Sequence, residues 1–212
     1  FAPAPEGTLP GFVDSGGVVA AADYDGDGDL DLFVGGRVVP GRYPESPISR
    51  LYRNDGGKLV DVLERAIPSL RLGGLITSAI WSDYDDDGRP DLLVTAHWQP
   101  VRVFHNQGDG TFEDRTAQAG LAAFPGWWNG IAAGDLDGDG FVDYVTTNVG
   151  LDTKYKASAD HPARIFAADF DDNGSFDVVE AKYEGDRLLP VRGRSCSSRA
   201  IPVLAERFKT YD

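Results

Sequence analysis

Short apolar runs alternate with short polar runs along this chain, and four of the polar runs share one pattern. The segments AADYDGDGDLDLFV, WSDYDDDGRPDLLV, AGDLDGDGFVDYVT and AADFDDNGSFDVVE align without gaps. Each reads as a small apolar strand, an acidic loop and a second strand. Val18–Ala22 and Ile131–Ala133 exemplify the first strand, Leu92–Thr95 and Tyr144–Thr147 the second. The loops start at Asp23, Asp83, Asp135 and Asp169, spaced by 60, 52 and 34 residues.

A second motif follows the first two loops. LYRNDGGKLVDV (51–62) matches VFHNQGDGTFEDR (103–115), and each reads as strand, Asn/Gly turn and strand. One full unit is therefore strand, acidic loop, strand, connection, strand, tight turn, strand. Four antiparallel strands repeating at such a period predict a propeller blade. The expected fold is all-β, a partial β-propeller of about 3–4 four-stranded blades. Unit three lacks the Asn/Gly hairpin, so Arg164–Ala168 and Asp177–Lys182 are expected to complete it, with the fourth acidic loop as its turn. YEGDRLLPV reads as one more hairpin, and residues 197–208 as a short helix capped by Ser197 or Ser198 and limited by Pro202. The domain expectation is blades over 1–190 and a helical tail, or the start of an insertion, over 191–212.

Charge sharpens this picture. The 212 residues carry 20 Lys+Arg against 34 Asp+Glu, a net of -14. Such a balance repels phosphates and argues against a nucleic-acid partner. No apolar stretch reaches the roughly 18 residues of a membrane span. Cys196 stands alone, which rules out an internal disulfide. Methionine is absent, so Phe1 reads as a processed terminus or as part of a longer chain.

Many of the acids sit where a cation would want them. Calcium takes 6–8 oxygens at about 2.3–2.6 Å, and carboxylates at alternate positions of a tight loop converge on one point. Loop one offers Asp23, Asp25 and Asp27, the backbone carbonyl of Asp29, and Asp31. Loop two offers Asp83, Asp85, Asp87, the carbonyl of Arg89, and Asp91. Loop three offers Asp135, Asp137, Asp139, the carbonyl of Phe141, and Asp143. Loop four offers Asp169, Asp171, Asn173, the carbonyl of Ser175, and Asp177. Asp/Gly turns occur without metal, but fourfold repetition with acids at the ligand positions favours up to four calcium ions. Four Ca²⁺ would move the net charge from -14 to -6. Magnesium prefers water-rich octahedra, and zinc is disfavoured by oxygen-only ligands. An EF-hand needs Glu at position twelve. That position holds Val34, Val94 and Thr146 in three loops, and Glu180, expected at the surface, in the fourth.

The repeated D-x-D-x-D-G-x-x-D after a small apolar strand resembles the FG-GAP/VCBS repeat over residues 12 to 190. The resemblance implies a calcium-binding β-propeller, as in the integrin α-chain head and cartilage acidic protein-like bacterial proteins. The tail PVRGRSCSSRAIPVLAERFKTYD resembles an insertion found in bacterial members of the latter group. Family propellers have more blades than this chain supplies, so missing blades or self-association are expected. The implied function is an exported, extracellular or cell-surface module acting in protein or glycan recognition or adhesion. Two other readings stay open: a structural subunit of a surface assembly or filament, or the non-catalytic part of a larger secreted enzyme. Trp98, Trp127, Trp128 and Tyr43 fall at the blade ends opposite the loops and are candidates for a ligand surface. No G-x-S-x-G, P-loop or H-E-x-x-H motif is present, so no enzyme activity is expected. His97, His105 and His161 share no spacing that suggests a metal set and read as structural or exposed.

Overall fold

A computed structural model describes Thr8, residues 15–150 and 153–207, and Lys209. Expectations that touch residues 1–7, 9–14, 151–152, 208 or 210–212 lie outside the described residues. The chain is all-β with three antiparallel sheets, a partial β-propeller-like arrangement. It divides into two compact units, one formed by residues 1–39 with 45–148 and the other by 40–44 with 149–212.

The first unit begins with β1 (Ser15–Ala22), β2 (Asp31–Val38), β3 (Arg50–Asp55) and β4 (Lys58–Asp61), a four-stranded meander in sequence order. The second meander follows as β5 (Leu75–Ser82), β6 (Asp91–Gln99), β7 (Arg102–Asn106) and β8 (Phe112–Asp114). β9 (Gly126–Gly134) and β10 (Asp143–Asn148) form a further pair, joined to β6 by the pairing of His97 with Trp127 and Gln99 with Gly126. Successive turns of a meander alternate ends, so each acidic loop and the Asn/Gly turn of its own blade lie together. The bond from Gly56 N to Asp29 Oδ2 (3.1 Å) shows this directly.

The inner strands pack through small residues. A Cβ on Gly35 of β2 would lie 2.6 Å from Ile76 Cγ2 of β5, so the first two meanders approach closely there. The core between them holds Phe33, Leu51, Ile76, Leu92 and Phe104, all fully buried. Each such side chain contributes about 1.5–3 kcal/mol relative to exposure. A short helix, α1 (Leu63–Ala66), and a 3-10 turn (Pro68–Leu70) seal one edge with Leu63, Ile67 and Leu70. The sequence pattern did not predict α1, because four residues are too few to show helical periodicity.

The second unit contains β11 (Arg164–Ala168), β12 (Asp177–Glu184) and β13 (Arg187–Pro190), a three-stranded sheet of its own. This corrects the expected make-up of unit three. β11 and β12 pair with each other and with β13, and no pairing with β10 is present among the described residues. The fourth acidic loop is therefore the first turn of a new sheet, the place it holds in the other repeats. The YEGDRLLPV hairpin forms as β12–β13, with Glu184 opposite Arg187.

The tail also differs from expectation. It forms two short helices, α2 (Arg194–Ala200) and α3 (Val203–Arg207), broken at Ile201–Pro202. Gly193, not Ser197 or Ser198, is the residue before α2, and Ser197 Oγ instead donates to Arg192 O (3.2 Å). Pro202 has no N–H and cannot continue the helix. Glu180 is half-buried, not a plain surface residue. Its Oε1 accepts from Tyr155 OH at 2.6 Å, and Lys154 Nζ lies 3.6 Å from Oε2. Burial and this carboxylate push the Tyr155 phenol up to about 12.

Candidate metal centres

The four acidic loops fold on one hydrogen-bond template. The position-one carboxylate accepts backbone amides from the turn ahead of it. Asp23 takes Gly26, Asp27 and Gly28 at 2.8–3.1 Å, and Asp83, Asp135 and Asp169 do likewise in their own loops. The position-five oxygen accepts the position-seven amide: Asp29 onto Asp27, Arg89 onto Asp87, Phe141 onto Asp139 and Ser175 onto Asn173, each at 2.9 Å. The position-nine carboxylate accepts the position-two amide: Tyr24 onto Asp31, Tyr84 onto Asp91, Leu136 onto Asp143 and Phe170 onto Asp177. Position six is glycine in every loop and has φ between 84° and 95° (Gly28, Gly88, Gly140 and Gly174). That left-handed conformation, and not crowding, excludes other residues, since a Cβ there would meet nothing within 4 Å.

This template gathers the carboxylates. In loop one, Asp23, Asp25 and Asp27 offer oxygens within 4.8 Å of one another. In the other loops the convergent set is positions one, three and nine: Asp83, Asp85 and Asp91; Asp135, Asp137 and Asp143; Asp169, Asp171 and Asp177. These clusters could bind a metal ion. Asp31 of loop one and Asp139 of loop three, expected as ligands, fall outside these sets. The Asp29 side chain turns away from its loop onto Gly56 N.

The donor set fits a hard cation. An ionised carboxylate has about four acceptor positions, and the amides use only some of them. The Oδ1 of Asp171 is buried and has no hydrogen-bond partner. An unpaired buried carboxylate oxygen is costly, and a cation in loop four would satisfy it. Burial, with Asp27 and Asp23 close by, pushes the Asp25 carboxyl above its ordinary value. Burial also raises Asp31 and Asp91, against the pull of their backbone amides. A divalent ion would relieve all three.

The Asn/Gly hairpins support loops one and two from behind. Asn54 N donates to Asp31 Oδ1 (2.8 Å), and Asn106 N to Asp91 Oδ1 (2.7 Å). Asn54 Nδ2 donates to Leu30 O, and Asn106 Nδ2 donates to Pro90 O (3.1 Å). Asn106 Nδ2 also donates to Tyr24 O (2.8 Å), which ties loop two to loop one. Tyr24 is only 4% exposed and stacks on Trp81 at 5.7 Å beside Phe112. Its counterpart in loop three, Leu136, is 67% exposed. Units three and four carry no such asparagine hairpin in their sequence.

The sequence pattern missed two side chains that reach loop two, the guanidinium of Arg89 and the imidazole of His105. Arg89 folds its guanidinium onto the Asp87 carboxylate and donates from Nε to Asn106 O (3.0 Å). His105, on β7, lies with Nδ1 3.1 Å from Asp85 Oδ2 and 3.3 Å from Asp91 Oδ1. Its aspartates lie on a different hairpin, so sequence spacing carries no signal for it. The imidazole follows the position of Arg53 in the matching hairpin, and that correspondence was the one clue available.

The candidate ligand surface is divided. Trp98 stacks on Trp127 (5.5 Å, 25°), His97 meets Trp127 edge-on, and Trp128 Nε1 donates to Phe124 O. All three tryptophans are half-buried in the first unit, whereas Tyr43 belongs to the second. Trp98 sits at a β-bulge with φ 66°, a strained conformation for a non-glycine residue.

Fold and loops together define a propeller-like repeat module with acidic, metal-capable turns. Residues 83–146 match the family model described as FG-GAP-like repeat, running from the first aspartate of loop two to the strand after loop three. No curated protein matches the chain. Among the described residues, no helix is long and apolar enough to cross a membrane.

Proposed function

We propose that this is a calcium-binding, exported β-propeller module that acts in protein or glycan recognition or adhesion, without catalytic chemistry of its own. The observation that carries the calcium assignment is the fourfold convergence of three carboxylates within 4.8 Å on one loop template. The donors in these sets are all oxygen, the preference of calcium. Calcium joins the turns of each blade and holds the surfaces that meet a partner. The tryptophans at Trp98, Trp127 and Trp128 are the candidate contact surface in the first unit. Calorimetric titration of the chelated chain should show calcium binding at more than one site and a rise in melting temperature. Equal melting temperatures in calcium and in chelator would refute the assignment.

One observation favours a second reading, a structural subunit of a surface assembly. β10 is the outer strand of its sheet, with Val145 half exposed on it. Edge strands of this kind pair readily with further strands. Sedimentation in calcium separates the readings: self-association supports the assembly, and a monomer that binds a glycan or protein supports recognition.

A further inference from the structure

Loop two differs from the other three in having a nitrogen aimed into it. His105 is 5% exposed, and its Nδ1 is buried without a hydrogen-bond partner. Such groups are uncommon in folded proteins. This nitrogen faces Asp85 Oδ2 at 3.1 Å and Asp91 Oδ1 at 3.3 Å, and Nε2 lies 3.8 Å from Asp87 Oδ2. Donor atoms about 3.0–3.4 Å apart are the edges of a coordination shell whose metal–donor distances are about 2.1 Å. Asp85, Asp87 and His105 form one set of ligand atoms within 4.8 Å, and Asp83, Asp85 and Asp91 form another that shares Asp85.

We propose that loop two is a mixed imidazole–carboxylate centre for a borderline divalent transition ion of the zinc class, built by His105, Asp85 and Asp91 with Asp83 or Asp87. The inference rests on the reading of the acidic loops as cation sites and changes the ion at one of them. Imidazole suits zinc-class ions, whereas calcium takes oxygen. His105 is held on a strand by pairing with Glu113 and lies edge-on to Tyr84, so its ring is positioned before any ion arrives. Two cations already touch the same carboxylates. Arg115 Nη1 lies 3.2 Å from Asp85 Oδ2, and Arg89 pairs with Asp87. Their side chains are 31% and 41% exposed, so each can swing into solvent when an ion takes its carboxylate. Their charge weakens the case for calcium at loop two more than for an ion that bonds strongly to imidazole. In loop one the matching residue is Arg53, which turns to Asp55 (2.7 Å) and leaves an oxygen-only set.

The test is a zinc titration of the full chain with calcium in large excess, read by calorimetry and by competition with a chromogenic chelator. One zinc ion per chain is expected. His105→Gln should weaken it by more than about 100-fold, while His161→Gln and Cys196→Ser leave it unchanged. X-ray absorption at the zinc edge should show one imidazole among oxygen ligands, a readout on the unmodified chain that holds even if His105→Gln fails to fold. No zinc bound in excess calcium, equal affinity in a folded His105→Gln variant, or an oxygen-only shell would each overturn the proposal. Calcium binding is measured separately in zinc-free buffer. Zinc lost with calcium retained sinks this inference alone, and calcium lost with zinc retained sinks the calcium assignment alone.

Discussion

Loop one and loop two share the same amide-to-carboxylate template, yet their surroundings diverge at two aligned positions. Position seven is Asp29 in loop one and Arg89 in loop two. Asp29 accepts Gly56 N outside its loop, whereas Arg89 bends back onto Asp87. The hairpin residue before the asparagine is Arg53 in one blade and His105 in the other. Arg53 points to Asp55, and His105 points among the aspartates of loop two. Backbone geometry is thus set by the repeat, while the charge an ion meets is set by residues the repeat leaves variable.

The largest expected effect is on calcium removal. One site at calcium 100-fold above its Kd contributes about 2.7 kcal/mol, and about 2–4 °C of Tm goes with each kcal/mol at this size. With several sites filled, chelation should lower Tm by more than about 10 °C. Asp23→Asn should remove more of this calcium-dependent rise than Asp83→Asn, because cations already sit beside loop two. Equal losses, followed by thermal melts, would break the comparison between the loops.

The hairpin asparagines come next. Asn106 is fully buried, and its side-chain amide donates to both Tyr24 O and Pro90 O. Asn106→Ala leaves two carbonyls without that donor and should cost about 2–3 kcal/mol in urea unfolding. Asn54 makes one such bond, to Leu30 O, at an exposed site. Asn54→Ala should cost about 1 kcal/mol. Equal costs would mean that the link from Asn106 to loop one carries little.

A smaller effect is expected from Arg89→Ala. Removing this half-exposed ion pair frees Asp87 and should change calcium affinity at loop two by about 2- to 5-fold, in the direction of tighter binding. Calorimetry on an Asp23→Asn background reads it. An unchanged affinity would show that the guanidinium does not compete with the ion.

The smallest effect concerns pH without metal. Asp31 and Asp91 have folded values raised by burial above the ordinary 3.8. Between those values the folded state holds more protons than the unfolded chain. Their stabilising share is full below 3.8 and is lost as pH rises through the folded values. The melting temperature of the chelated chain should therefore fall somewhat as pH is raised from the ordinary carboxylate range to neutrality. Calcium, which binds carboxylates and not carboxylic acids, should reverse that trend.

Much of this was legible in the chain itself. The strand–loop–strand units, the Asn/Gly hairpins and the clustered carboxylates follow from local spacing, because each loop closes on its own backbone within nine residues. The third unit departs from the expected make-up because pairing between β11, β12 and β13 is a choice among strands that all read alike. The helix α1 was too short to show its period. His105 carries no spacing signal because its aspartates, Asp85, Asp87 and Asp91, come from the preceding hairpin.

The sequence alone determined four acidic turns, their glycines and the β-propensity around them, since these depend on neighbours a few residues apart. Only the tertiary structure decided which strands joined which sheet, which tyrosine was buried, and that Asn106 would bond across to loop one. It also decided that an imidazole would stand among the carboxylates of loop two and an arginine outside those of loop one. Those outcomes depend on contacts between segments far apart in the chain, where burial and charge act through space and the repeat has no say.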